Sequence, residues 1–280
     1  LANECMIGLY PNLADRARIE AAENVQAVQT PIASTGMLHF NFADEKFQDQ
    51  RVRQALAQAI DMNNFVEVVY DGMGRSTGAV VPPALWGHAE GIAPWEYNPE
   101  AARELLAEAG FADGFETQVW AIPVARPYMP HGRRAAEIVQ ADWAAIGVKA
   151  EILSYEWGEY IQRARAGEAE VGMFGGIYDF PDPSQIPNNY LTCNSDGKPA
   201  PSNIGAWCND EFNAVMNEAG SITDQAERTE LYVQAQQIVH EEVPVVVLGG
   251  ADTITMVNKK VKGYVPAVFG SSRLSGVTVE

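Results

Sequence analysis

Positive charge is what this chain lacks most. Its 19 Lys and Arg residues face 37 Asp and Glu, for a formal net charge of −18 over 280 residues. Such a surface repels phosphate backbones and anionic lipid, which excludes nucleic acid and a charged membrane surface as expected partners. Long apolar runs are missing too: the best, Val243 to Ala251, is interrupted by Pro244, Gly249 and Gly250. A helical membrane span needs about 20 consecutive apolar residues, so none is expected. There is no G-x-x-x-x-G-K-[ST] loop and no G-x-G-x-x-G, and so no sign of nucleotide hydrolysis or dinucleotide binding. The four histidines, His39, His88, His131 and His240, are scattered, and H-E-x-x-H and CxxC are absent. Neither a metal nor a cofactor is expected.

Cysteine is scarce at three: Cys5, Cys193 and Cys208. The later pair frames TCNSDGKPAPSNIGAWC, a polar loop with little packing of its own. A disulfide there would restrict the unfolded chain and is favoured over a metal site, which implies an oxidising compartment. Cys5 is left over. It is either a buried free thiol or half of a disulfide whose partner is absent from this chain.

What is present is an ordinary globular composition, 47% apolar and 20% charged, enough to bury a core without disulfides. A short strand is expected at ECMIGLY, then a helix through ADRARIEAAENVQAVQ, which Pro31 ends. MLHFNFA alternates as a strand does. Asp49 to Tyr70 has a helical apolar stripe, with a bend near Asp61, where DMNN offers a fresh N-cap. Asn98 and Pro99 open another helix that Gly110 closes. Strands at 116–123, 148–155 and 171–178 alternate with helices at 133–146 and 156–166. Helices at 211–219 and 224–242 precede the strands VPVVVLGG and ITMVN. This alternation indicates an α/β protein.

Three motifs invite a chemical reading. Gly74-Arg75-Ser76-Thr77-Gly78 fits the G-x-S-x-G elbow of a serine hydrolase, but that elbow needs a strand before Ser76 and a helix after it. The expected order here is the reverse, so hydrolysis stays a remote alternative. In Ala121-Ile122-Pro123-Val124-Ala125-Arg126-Pro127-Tyr128-Met129-Pro130, prolines hold Arg126 in a rigid loop, where its fork suits a carboxylate or a surface ion pair. In Gly175-Gly176-Ile177-Tyr178-Asp179-Phe180-Pro181-Asp182-Pro183, two glycines permit close approach, and Asp179 could meet an ammonium group or simply form an Asx turn. Asp179 and Asp182, three residues apart in a Pro-rich turn, read as one solvated loop with one structural Asp rather than a glycosidase pair.

VRQALAQAIDMNNFVEVVYDGMG, VVPPALWG and YNPEAARELLAEAGF, taken in order, resemble the solute-binding proteins of peptide ABC importers. RRAAEIVQADWAAIGVKAEILSYEWGEYIQRARAGE and ELYVQAQQIVHEEVPVVVL extend the likeness, which is greatest to the dipeptide-binding members. The resemblance implies a type II periplasmic-binding fold, α/β in class, with two lobes that close on a ligand. It assigns residues 1–31 to part of the N-terminal lobe, 32–249 to the C-terminal ligand-binding lobe, and 250–280 to the hinge crossover and return. It places a carboxylate-gripping role on Arg126, in the segment from Trp120 to Tyr128, and an ammonium-holding role on Asp179. Tyr128, Gly175 and Tyr178 complete the candidate ligand-binding set.

The implied protein is a periplasmic, non-enzymatic monomer that captures dipeptides or short peptides for membrane permease subunits. Haem, a metal complex or another small ligand is the alternative in the same family. The family often has Trp where Gly176 stands and Gly where Tyr178 stands, so aromatic surface is shifted by two positions. The likeness begins in the middle of the family's chain, and there the residue matching Cys5 pairs with a cysteine near the mature N-terminus. The resemblance therefore implies a missing N-terminal segment, disulfide-linked through Cys5.

Overall fold

The computed structural model describes residues 5–9, 11, 15–269 and 273–280. The first elements are β1 (Ile7–Leu9), α1 (Arg16–Glu20), β2 (Val25–Pro31) and β3 (Ser34–Phe40). Glu4 and Tyr10 of the first expected strand, and Ala14 of the first expected helix, lie outside the described residues. The helix expected up to Pro31 is a correction: among its described residues only five are helical, and residues 25–31 are a strand. They pair with a later strand over their whole length, Val25 against Asn258 through Pro31 against Asp252. That ladder outweighs a helical preference resting on Ala, Gln and Glu.

A 3-10 turn (Glu45–Phe47) leads into α2 (Gln50–Gln58) and α3 (Met62–Val69), then β4 (Gly74–Arg75) and α4 (Pro99–Glu108). The long stripe from Asp49 divides where the local chemistry predicts a bend. The Asp61 carboxylate accepts from the backbone N–H of Asn63 (3.0 Å) and Asn64 (3.1 Å), capping a new helix. There follow β5 (Glu116–Trp120), α5 (Gly132–Ala144), β6 (Lys149–Leu153), α6 (Trp157–Arg165) and β7 (Val171–Ile177). The chain continues through α7 (Gln185–Tyr190), α8 (Asp210–Ser221) and α9 (Gln225–Glu242) to β8 (Val245–Asn258), β9 (Val261–Lys262) and β10 (Thr278–Val279).

One mixed sheet runs β1-β8-β3-β7-β5-β6, with β2 and β4 also paired to β8. The two strands expected at the end of the chain are a single strand of 14 residues. Its first part pairs with β3, Gly36 against Gly249, and its later part with β1 and β2. Thus β8 crosses the expected boundary at residue 249 without a break. Alternation along the central strands divides the core in two. Leu38, Phe40, Val246 and Leu248 enter a larger cluster with α2 to α6, while Met37, Val245 and Val247 enter a smaller one with α8 and α9. Cys193 and Cys208 form a disulfide, Cα atoms 5.6 Å apart, across the expected loop. Cys5 is free and exposed, not buried. No helix among the described residues is long and apolar enough to cross a membrane.

Candidate functional site

β5 is parallel to both β6 and β7, so all three end at one edge of the sheet. In open α/β sheets the loops at that edge carry the binding groups. Here they are residues 121–131, 154–156 and 178–184.

The first loop is built on a tight turn. Arg126 N–H donates to the Met129 carbonyl (3.1 Å) and Met129 N–H to the Arg126 carbonyl (2.8 Å). Pro127 occupies the second turn position, where its fixed φ is favourable. The Arg126 guanidinium carbon lies 4.3 Å from the ring centroid of Trp157, the first residue of α6. Stacking of this kind stabilises the cation and leaves its in-plane N–H fork free for an anion. Arg126 Nε is buried without a partner, and no carboxylate among the described residues pairs with the guanidinium. The sequence left an ion pair and a ligand role open for Arg126; its positive charge stands uncommitted.

Beside this turn is a cleft of about 450 Å³, bounded by Arg126, Pro127, Pro130 and His131 on one side and by Ala251 to Ile254 of β8 on the other. That volume suits a small organic ligand. Its carboxylate, Asp252, is already engaged by Arg75 (3.0 Å) and by Gln29 Nε2 (2.9 Å).

Asp179 follows β7 and is exposed. Its N–H donates to Gln185 Oε1 (2.8 Å), and Gln185 Nε2 donates to its Oδ2 (2.9 Å). No cation among the described residues pairs with it. Asp182 is different: it accepts from Ser184 N–H (3.0 Å) and pairs with Arg228 (2.8 Å). Burial alone would raise its carboxyl, but the Ser184 hydrogen bonds and the Arg228 charge outweigh that and hold it below the usual range. Asp182 is thus the structural aspartate of the loop and Asp179 the free one.

The other three candidates serve packing in this structure. Tyr128 is buried, and burial is the main reason its phenol is pushed far above the ordinary value, with Tyr190 adding to the effect and Arg126 opposing it. Its carbonyl accepts from Tyr70 Oη (3.2 Å), so it braces the turn from within. At Gly175 the close approach within this chain is made by β3 and Tyr128. A Cβ there would lie 2.2 Å from the Thr35 carbonyl and 2.9 Å from the Tyr128 ring, so the chain itself fills the gap. Tyr178 likewise presents no surface. It is wholly buried in the smaller core, and its hydroxyl has no partner. Two residues past Gly176, it falls on the sheet face that α8 and α9 cover.

Trp157 and Gln185 escaped the sequence reading. Trp157 opens a helix behind Glu156, a cap signal that marks position but not what the ring supports. Gln185 lies in a six-residue helix that contains Pro187, and no periodic stripe announces it. Ser76 follows the two-residue strand β4, and no helix comes after it until Pro99. The elbow context is absent there.

One edge of an α/β sheet thus holds a guanidinium with no carboxylate partner on one loop and, on another, a carboxylate met only by a neutral amide. Residues 1–198 match the family described as "Bacterial extracellular solute-binding proteins, family 5 Middle". The chain belongs to that family, and its fold is the type II periplasmic-binding fold. It is 37% identical over 278 residues to the dipeptide-binding protein of Escherichia coli, covering 99% of this chain and 52% of that protein. It is 38% identical over 279 residues to heme-binding protein A of Haemophilus influenzae, covering 100% of this chain and 50% of that protein. Among solved structures, the periplasmic binding protein DppA of Helicobacter pylori, in complex with the peptide STSA, matches with a TM-score of 0.86 at 30% identity. That match covers 99% of this chain and 53% of the other. The chain therefore spans about half the length of the curated relatives it matches.

Proposed function

We propose that the protein carrying this chain is a periplasmic binding protein that captures dipeptides or short peptides and delivers them to the permease subunits of an ABC importer. Arg126 takes the ligand's α-carboxylate through its free fork, and Asp179 takes the α-ammonium. Tyr128 holds the Arg126 turn from below. In this reading residues 32–249 form the ligand-binding lobe, residues 1–31 belong to the other lobe, and residues 250–280 return through the hinge to it. Capture requires no bond-making: ligand contacts stabilise a closed state that the membrane partner recognises. The protein is a monomer without a cofactor.

The observation that carries the reading is the pair of opposite, uncommitted charges at one sheet edge, Arg126 and Asp179. A zwitterion of fixed length satisfies both ends, and main-chain recognition of this kind leaves side chains largely unread. The relatives named for dipeptide and peptide ligands support the same assignment. Calorimetry of the intact protein with a free dipeptide and its N-acetylated form tests it. Arg126→Ala and Asp179→Asn should each weaken binding at least about tenfold, the worth of a hydrogen bond to a charged group. N-acetylation should do the same in the wild type and nothing further in Asp179→Asn. Equal affinity for acetylated and free dipeptide in the wild type removes the assignment. A haem Soret band in protein from its native source would favour the haem ligand instead.

A further inference from the structure

The same loop carries one carboxylate that is neutralised and one that is not, and the difference lies in the partner each has been given. Asp182 meets a cation, Arg228, at 2.8 Å, and the Tyr232 hydroxyl donates to its Oδ1 at 3.4 Å. Trp86 Nε1 donates to the Pro181 carbonyl at 2.8 Å, so this end of the loop is also tied to the segment between β4 and α4. Asp179 meets only a neutral amide. Gln185 Oε1 accepts from Asp179 N–H (2.8 Å), while Nε2 donates to Asp179 Oδ2 (2.9 Å) and to the Ile177 carbonyl (3.2 Å). One side chain thus spans the turn by which the chain leaves β7. Oδ2 is fixed, and Oδ1 has no partner among the described residues.

We propose that Gln185 is a positioning residue that presents the Asp179 carboxylate to a ligand's ammonium group. The proposal rests on the peptide-binding reading above. An exposed aspartate on a loop would otherwise sample several rotamers and be ordered only on binding, at a cost in affinity. Gln185 orders it in advance without reducing its charge, which a Lys or Arg partner would do. The choice of residue type follows from the bonds made. An amide both accepts from a backbone N–H and donates to a carboxylate, with no charge of its own and at neutral and mildly acid pH alike. Ionised Glu at this position accepts only, and Met does neither while filling a similar volume.

The experiment is calorimetric titration of the intact wild type, Gln185→Met, Gln185→Glu and Asp179→Asn with the dipeptide Ala-Phe, at neutral pH and at about pH 5. Thermal unfolding of each variant gives the packing effect separately. At neutral pH both Gln185 variants should bind about tenfold more weakly, as expected for losing a hydrogen bond to a charged group. At about pH 5 a side-chain carboxyl at 185, its proton affinity raised by the Asp179 carboxylate beside it, is partly protonated and can donate, so Gln185→Glu should regain part of the lost affinity. Gln185→Met and the wild type should not improve. A role in packing alone predicts lower unfolding temperatures with unchanged affinity and no such pH response. Wild-type-like binding by both variants, or no recovery of Gln185→Glu on acidification, overturns the positioning role. If the wild type fails to bind the dipeptide, or Asp179→Asn binds as well as the wild type, the peptide-binding reading itself has failed.

Discussion

Arg126 and Asp179 have their freedom for different local reasons. Arg126 is held by Pro127 and the Trp157 face, and Asp179 by one amide, so neither charge is spent on the fold. The types and positions of these two residues could be read in the sequence, because prolines and glycines next to a strand end announce a rigid loop. Whether either would be paired by the fold could not, since the answer depends on Gln185, Arg228 and Trp157 arriving from other elements. A second residue-scale consequence concerns His39 near the end of β3. Burial lowers its pKa to about 3, its Nε2 has no partner, and its ring neighbour is Tyr190 at 6.3 Å. Between its unfolded value of about 6.5 and its folded value, the unfolded chain binds a proton that the folded one does not. Stability from this group is complete above about pH 6.5 and is lost as pH falls towards the folded value, by at most about 1.4 kcal/mol per pH unit. Urea unfolding between neutral and mildly acid pH should show a shallower loss for His39→Phe than for the wild type. Parallel curves would mean that His39 does not titrate on unfolding as described.

At the scale of elements, helices with a cap and a stripe were legible, and strands defined by their partners were not. Asp61 shows the first case. Its carboxylate accepts from two first-turn N–H groups and starts α3 where the apolar stripe alone would run on. Asp61→Ala should cost about 1 kcal/mol in urea unfolding, and Asp61→Ser much less, as for N-caps generally. An unchanged midpoint for Asp61→Ala would show that packing of Phe65 and Val69 suffices to start the helix. β2 shows the second case. Val25 to Pro31 has few strongly strand-forming residues, and it is extended because β8 offers a free edge along its length. The reading of β8 as two strands failed at Gly249 and Gly250, which look like a terminus. There Gly249 takes φ +97°, and a Cβ would lie 2.1 Å from the Arg75 carbonyl. The glycines admit β4 against β8 without ending it.

For the molecule as a whole, the larger core and the helical layer on the other face of the sheet are joined at Arg53. This side chain is almost wholly buried, yet it donates to the carbonyls of Phe47 (2.7 Å), Gln48 (3.0 Å), Glu242 (2.6 Å) and Val243 (3.1 Å). Its cation lies over the Phe42 ring at 4.5 Å and meets the C-terminal end of α9, where the helix dipole favours positive charge. Burial lowers its pKa to about 10, against the opposing pull of Glu242 and Asp49, so it stays charged at neutral pH. Arg53→Met keeps the volume but strands several carbonyls, and should cost about 3 kcal/mol or more in urea unfolding. A cost under about 1 kcal/mol would mean that water takes over those carbonyls. The sequence alone determined the α/β class, the acidic character, the disulfide loop, the helix caps and the two loops that carry Arg126 and Asp179. These follow from composition and from signals only a few residues long. Only the tertiary structure decided that β8 is continuous, that Tyr178 and Gly175 are buried, and that Asp182 is neutralised while Asp179 is not. Each of those outcomes depends on which distant residue fills a given space or meets a given charge, and that is set by the packing of the whole chain.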